Sequence, residues 1–421
     1  MIRLAHPVGY ATERRYAAEI LLGELLGLDV ACVEEERDDV ELTLAGHEGS
    51  LRLPDGLFAT DPHDWLTERS LPNEPLQRLN DVPLLFGGDF FGAAFFLLTR
   101  YEEAVLGHRD EHGRFPASAS LAAREDFLER PLVNEYAEIL WGDLQATWPR
   151  LERLRRVFRV LPSHDVDIPF CGRSGLVARV RNAAGDLVKR QDPVLAARRL
   201  VGVSDLYDTF EFIMDTSEHS GVRSTFFFLA AHGPENRVGA GYSLDDPRLR
   251  SLLRRIHDRG HEIGLHGSYA SHDEPTRLQA ELAELRRACA EEGIDQEAWG
   301  GRQHFLRWSG NLWAAYEEAG LAYDSSLSFA DHPGFRAGIC CDYPVFDLWQ
   351  RRPLAVRERP LVAMEVSLLQ YLGLDDAATL DRLVALKETC RRFEGDFTLL
   401  WHNDRLESRR SRRTYEAALA A

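Results

Sequence analysis

The 421-residue chain is 44% hydrophobic and 28% charged, a balance that suits a soluble globular protein with a large buried core. Its net charge of −18 excludes nucleic acid and anionic membrane surfaces as expected partners. No apolar run reaches the roughly 18 residues of a membrane span, no phosphate-cradling G-x-x-x-x-G-K-[ST] loop is present, and only Lys189 and Lys387 are available for Schiff-base chemistry.

The opening stretch, MIRLAHPVGYATERRYAAEI, lacks the apolar core of a signal peptide, so a cytoplasmic location is expected. The first 155 residues mix short strands with helices and read as a smaller α/β domain of unknown role. A strand is predicted over 38–45 (DVELTLAG) and an apolar helix over 91–107 (FGAAFFLLTRYEEAVLG). A loop over 108–122 and a helix over 133–148 follow, and the joint to a second domain, 156–421, lies near 150–157.

Beyond residue 156, β-rich runs alternate with helical patterns. Strands are predicted at 157–163, 223–230, 261–266, 301–306, 361–366 and 397–402. Between them, Leu249, Leu252, Leu253 and Ile256 form a helical stripe ended by Gly260. Leu278, Leu282, Leu285 and Cys289 make a second, ended near Gly293, and 310–320 a third, closed by Gly320. Strand–helix alternation implies a parallel sheet, open or closed as a barrel. Asp165, Asp167, His266, His304, Asp324 and His402 each fall at or just past a predicted strand end. In a barrel such positions converge on one face, where active sites lie. The six cysteines show no C-x-x-C spacing and are expected to stay reduced.

The cluster HEIGLHGSYASHD (261–273) invites a zinc-protease helix, but the spacing refuses it. His261 and His266, five residues apart, would point about 140° away from each other on a helix. On a strand, His266 ends the run and His261 begins it, so only His266 faces the polar end. Asp165 and Asp167, two apart, share one side of their strand, as do Arg302 and His304. Two carboxylates that close call for a cation or an arginine between them. His402 ends an apolar strand, where an imidazole needs a partner.

The order SHDVD, STFFFL, GHEIGLH, GRQHFL, AGLAYDSS and LLWH, over about residues 158–404, resembles the NodB-type polysaccharide deacetylases, carbohydrate esterase family four. FFLLTRYEE and DEHGRFPASASLA are similar to a domain that precedes such modules in bacterial surface-polysaccharide proteins. The resemblance implies a distorted (β/α)7 barrel with a smaller N-terminal α/β domain. It implies a hydrolase that removes an N-acetyl group from a sugar in surface-polysaccharide or lipopolysaccharide biosynthesis, using one divalent metal, with zinc the first candidate. Residue by residue, Asp165 matches the general base, Asp167 and His266 metal ligands, Arg302 the arginine that orients the base, Asp324 the D-S-S strand end and His402 the acid. The family's second motif, usually H-[ST]-x-x-H, has Ala270 at its last position here. His304 is the preferred replacement ligand and His272 the second choice, because a catalytic zinc takes three protein ligands.

Trp308, Trp401 and Phe335 are candidates for stacking on sugar faces or for core packing. A backbone N–H near Ser268 or Tyr269 is the candidate oxyanion donor. Residues 329–348 read as a rim over the site, with Arg336 as an anion-binding residue. Two rival readings are a hydrolase of cyclic imides or ureides on a similar barrel, and a metal-free carbohydrate-binding protein. The expected partner is an acetylated sugar or polysaccharide precursor, with no nucleic acid and no membrane insertion.

Overall fold

The computed structural model describes residues 1–171, 176–188, 193–201, 205–230 and 242–420. Near the start of the chain, β1 (Ile2–Pro7), β2 (Val30–Glu35), β3 (Asp39–Leu44) and β4 (Ser50–Pro54) form a sheet in the order β2–β1–β3–β4. β1 and β2 are parallel and so need a crossover, which the helix Ala11–Ala18 and its π-helical continuation Glu19–Leu25 supply. In β3 the alternating Val40, Leu42 and Leu44 point inward. β5 (Gln77–Leu79) and β6 (Val82–Leu84) form a separate hairpin.

The helix expected over 91–107 is two helices, Phe90–Leu98 and Tyr101–Val105. Arg100 breaks it with a left-handed φ of 55°. Its buried guanidinium bonds to Glu103 and to the carbonyls of Leu97 and Arg336, contacts that a continuous helix would not offer. All nine residues of Phe90–Leu98 are buried, which suits a helix that is apolar all round. It packs against the second region, where Phe95 meets Phe346 at 5.1 Å and Tyr343 donates to the Leu98 carbonyl at 3.0 Å. One hydrophobic core runs through both regions.

The second region is built on a nine-stranded sheet in the order β12–β13–β11–β10–β9–β8–β7–β15–β14. Its strands are β7 (Arg159–Val166), β8 (Thr225–Leu229), β9 (Glu262–Gly267), β10 (Gly300–Gln303), β11 (Tyr323–Asp324), β12 (Tyr343–Asp347), β13 (Arg352–Glu358), β14 (Ala363–Met364) and β15 (Asp396–Leu400). Every neighbouring pair is parallel except β12 with β13. Among the described residues no pairing joins β14 to β12, so the sheet is a curled half-barrel of nine strands, consistent with the expected barrel architecture in outline. Strong curvature still brings distant strands together. β10 and β7 are three strand spacings apart, roughly 14 Å in a flat sheet, yet Arg302 on β10 bonds to Asp165 on β7 at 3.0 Å.

Helices Pro247–Asp258 and Pro275–Glu291 present their predicted apolar stripes to the core, and Gly260 and Gly293 close them at φ 72°. Two strand expectations fail in detail. β10 stops at Gln303 and is followed by a 3-10 turn, His304–Leu306, in which Phe305 and Leu306 take φ of 62° and 55°. Only Ala363 and Met364 of the run 361–366 are strand, and a π-helical turn, Ser367–Tyr371, follows. The segment 329–348 is no exposed rim. Phe335, Ala337, Ile339 and both adjacent cysteines are buried, and Phe335 N and Val133 N bond across the two regions. Among the described residues no helix is long and apolar enough to cross a membrane.

Candidate metal and catalytic site

Asp165 lies near the end of β7 and Asp167 one residue past it, and both line the same cavity. Arg302 crosses the interior from β10. Its Nη1 donates to Asp165 Oδ1 at 3.0 Å and to Ser163 Oγ at 2.9 Å, and its Nε donates to the Ser325 carbonyl at 2.8 Å. The guanidinium is fully buried and stacks 4.5 Å over the Phe227 ring. Burial alone would raise the Asp165 carboxyl, but His266, Arg302 and His402 hold it below the ordinary range.

Three side chains converge beside this pair. Asp167 Oδ1 lies 3.2 Å from His266 Nε2 and 3.3 Å from His304 Nδ1, and the two ring nitrogens are 3.0 Å apart. Asp167 Oδ1 is buried yet has no aligned hydrogen-bond donor. His266 Nδ1 donates to the Arg302 carbonyl at 2.9 Å, which turns Nε2 into the site. Asp167, His266 and His304 are the one group of potential metal ligands among the described residues. Their separations approach the ~3.3 Å edge of a tetrahedron with bonds of about 2.0–2.1 Å, the geometry of zinc with imidazole and carboxylate donors. The donor set and the unpaired oxygen therefore fit a divalent cation. Asp167 is held well below the ordinary carboxyl range: burial opposes this, and His304 and His266 outweigh it.

His402, just past β15, stands on the other side of Asp167, with Nε2 3.8 Å from Oδ2. Its Nδ1 and its backbone N both donate to the buried Glu365, at 2.7 and 3.1 Å. Burial would lower its pKa, but Glu365, Asp167 and Asp165 raise it to about 10, so the ring is cationic at neutral pH. These groups open into a cavity of about 410 Å³, whose apolar side is formed by Leu306, Met364 and Val366. Gln370, Tyr371, Asp404 and Arg405 complete its rim, together with Arg114 from the first region.

The six residues singled out as catalytic or metal-holding thus surround one cavity or stand directly behind it. Other candidates lie elsewhere. His272 is beside Asp273, outside the cluster, and His261 is buried at the far end of β9, where it accepts from Ser224 N at 3.1 Å. Asp324 is fully buried behind the site and accepts from Ser326 N at 3.0 Å. Trp308, Trp401 and Phe335 are core residues and offer no face to a sugar. Arg336 is no anion-binding residue: it is buried, and its Nε donates to Glu103 at 2.9 Å. Ser268 N donates to Glu281 at 2.9 Å and is spent as an oxyanion donor. Sequence reasoning missed Glu365, although a lone acid in the apolar run LVAMEV was a signal that a cation lies opposite.

A family model described as a family of unknown function, DUF7033, matches residues 4–149. No curated protein matches the chain. Among solved structures, a candidate polysaccharide deacetylase from Mycobacterium smegmatis aligns at 18% identity over 65% of this chain and 85% of its own, with a TM-score of 0.41. A candidate polysaccharide deacetylase from Pseudomonas aeruginosa PAO1 aligns at 13% identity over 71% and 90%, with a TM-score of 0.39. The PuuE allantoinase aligns at 13% identity over 62% and 82%, with a TM-score of 0.37.

Proposed function

We propose that this protein is a metal-dependent amide hydrolase that removes an N-acetyl group from a sugar. The observation that carries the reading is the convergence of Asp167, His266 and His304, beside a carboxylate–arginine pair and a cationic histidine. Asp167, His266 and His304 would hold the cation. A bound divalent cation supplies Lewis acidity toward a carbonyl and brings the pKa of water from about 15.7 to about 7.

The chain's own groups divide the proton work. Asp165, ionised and fixed by Arg302, accepts the proton of the attacking water. His402, charged and fixed by Glu365, donates a proton to the departing amine. Leu306, Met364 and Val366 offer an apolar surface to a small acyl group. The sequence order of the motifs supports an acetylated sugar as substrate. The same resemblance supports a bacterial surface-polysaccharide or lipopolysaccharide precursor, with zinc as the metal.

The test is acetate release from N-acetylhexosamine oligomers by the metal-loaded protein, beside ring opening of a cyclic ureide. Acetate release is expected. Ureide opening without acetate release would replace the substrate class, and neither activity would leave the metal-free binding protein.

A further inference from the structure

The first region reaches the site through one short loop. Asp110 N donates to the Arg114 carbonyl at 2.9 Å and Gly113 N to the Asp110 carbonyl at 3.0 Å, closing a tight turn. The Asp110 carboxylate braces it by accepting from His112 N, Arg114 N and Arg114 Nε at 2.8–2.9 Å.

This turn grips the segments that follow His266 and His304. Arg114 Nη1 donates to the Phe305 carbonyl at 3.1 Å, one residue past His304, and Nη2 to Tyr371 OH at 3.2 Å. The His112 ring lies 4.6 Å from the Phe305 ring, which stands edge-on to His304 at 4.7 Å. The His112 carbonyl accepts from Arg307 Nε at 2.8 Å, and Arg307 Nη1 donates to the Tyr269 carbonyl. His112 Nδ1 is 3.2 Å from Tyr269 OH, three residues past His266. Phe305 and Leu306 are two consecutive bulky residues in the left-handed region, a conformation that persists only where surroundings impose it.

We propose that the 110–114 loop is part of the metal-holding site, with Arg114 and His112 as positioning residues that fix the His304 turn. The inference rests on the reading of Asp167, His266 and His304 as ligands. On this account the first region supplies the support that keeps His304 Nδ1 on Asp167, which gives that region a role in the chemistry of the barrel.

The experiment is Co²⁺ titration of the full chain, followed by the visible spectrum and by chelator competition, with thermal melting as a folding control. Arg114→Ala should weaken Co²⁺ binding about 10–100-fold, the usual effect of removing support from a ligand, and should alter the spectrum. His112→Ala should do the same to a lesser degree and carries the test if Arg114→Ala fails to fold. Arg124→Ala, which removes the Glu74 and Glu102 pairs in the same region, should leave both readouts unchanged. Parent-like binding by Arg114→Ala and His112→Ala, or equal weakening by Arg124→Ala, would overturn the proposal while leaving the ligand reading intact. A parent that binds no Co²⁺, or a His304→Ala variant that binds it as tightly as the parent, would overturn both.

Discussion

Two pairs of acids lie at strand ends of the same sheet and behave in opposite ways. Asp165 and Asp167 face Arg302, His266, His304 and His402, and both stay ionised. Asp324 and Glu358 are paired across β11 and β13, and Glu358 accepts from Trp313 Nε1 at 3.0 Å and from Leu327 N at 3.1 Å. Burial raises both of the latter, Glu358 well above the ordinary range, with the charge of nearby Asp324 adding to it. In the second pair burial and like charge disfavour ionisation, whereas the first is balanced by fixed cations and opens into a cavity. Buried acids alone do not mark a site; what matters is which charges surround them and whether a ligand can reach them.

The largest expected effect follows from removing the ionised acid that does proton work. Asp165→Asn keeps the shape of the side chain and should lower the turnover of acetate release by about 10²–10⁴-fold, with metal content unchanged. A loss of metal along with activity would move Asp165 into the ligand set.

Next comes the counter-charge. Arg302→Met leaves Asp165 buried without its partner and should cost about 3–5 kcal/mol in urea denaturation. Glu358→Gln supplies the contrast, because glutamine removes a charge that burial disfavours.

These contrasts also show what the chain makes legible before folding. Strand ends bearing Asp165, Asp167, His266, Arg302 and His402 could be placed because period-two alternation and apolar runs locate a strand to within a residue or two. The left-handed turn at Phe305 and Leu306 could not, because neither residue type favours it and its supports come from a loop nearly 200 positions earlier. Trp308, Trp401 and Phe335 could be read as sugar platforms or as core, since aromatic residues serve core and surface alike. Arg336 looked like an anion site because its partner Glu103 is distant in sequence. Asp324 matched a motif, yet its neighbour Glu358 comes from another strand, and only the strand pairing brings the two acids together.

A third expectation concerns His164, which lies between the two catalytic-face neighbours Ser163 and Asp165 but points away from them. Its Nδ1 donates to the Trp401 carbonyl at 2.6 Å, and Nε2 faces Ser224 and Tyr415. Burial pushes its pKa from 6.5 to about 3. The unfolded chain then binds a proton that the folded chain refuses, so stability should fall as pH drops below about 6.5, by up to about 1.4 kcal/mol per unit. His164→Asn should flatten that slope between pH 6.5 and pH 4 in parallel urea titrations, and an unchanged slope would assign the acid sensitivity elsewhere.

The smallest effect is that of Glu358→Gln, within about 1 kcal/mol of the parent at pH 7. Its sign is fixed by the raised pKa of the folded state. Above the ordinary carboxyl range the unfolded parent loses the proton while the folded parent keeps it, so parent stability declines as pH rises and the variant avoids that decline. Denaturation at pH 5 and pH 8 should show the variant gaining on the parent. A loss as large as that of Arg302→Met would erase the distinction between the two acid pairs.

The most direct test of the central claim is metal content by elemental mass spectrometry on the purified protein, with His266→Ala, His304→Ala and His272→Ala measured alongside. One equivalent of metal is predicted in the parent and in His272→Ala, with loss in the other two. A parent that stays metal-free after refilling with zinc or manganese, or loss in His272→Ala with retention in His304→Ala, would contradict the account.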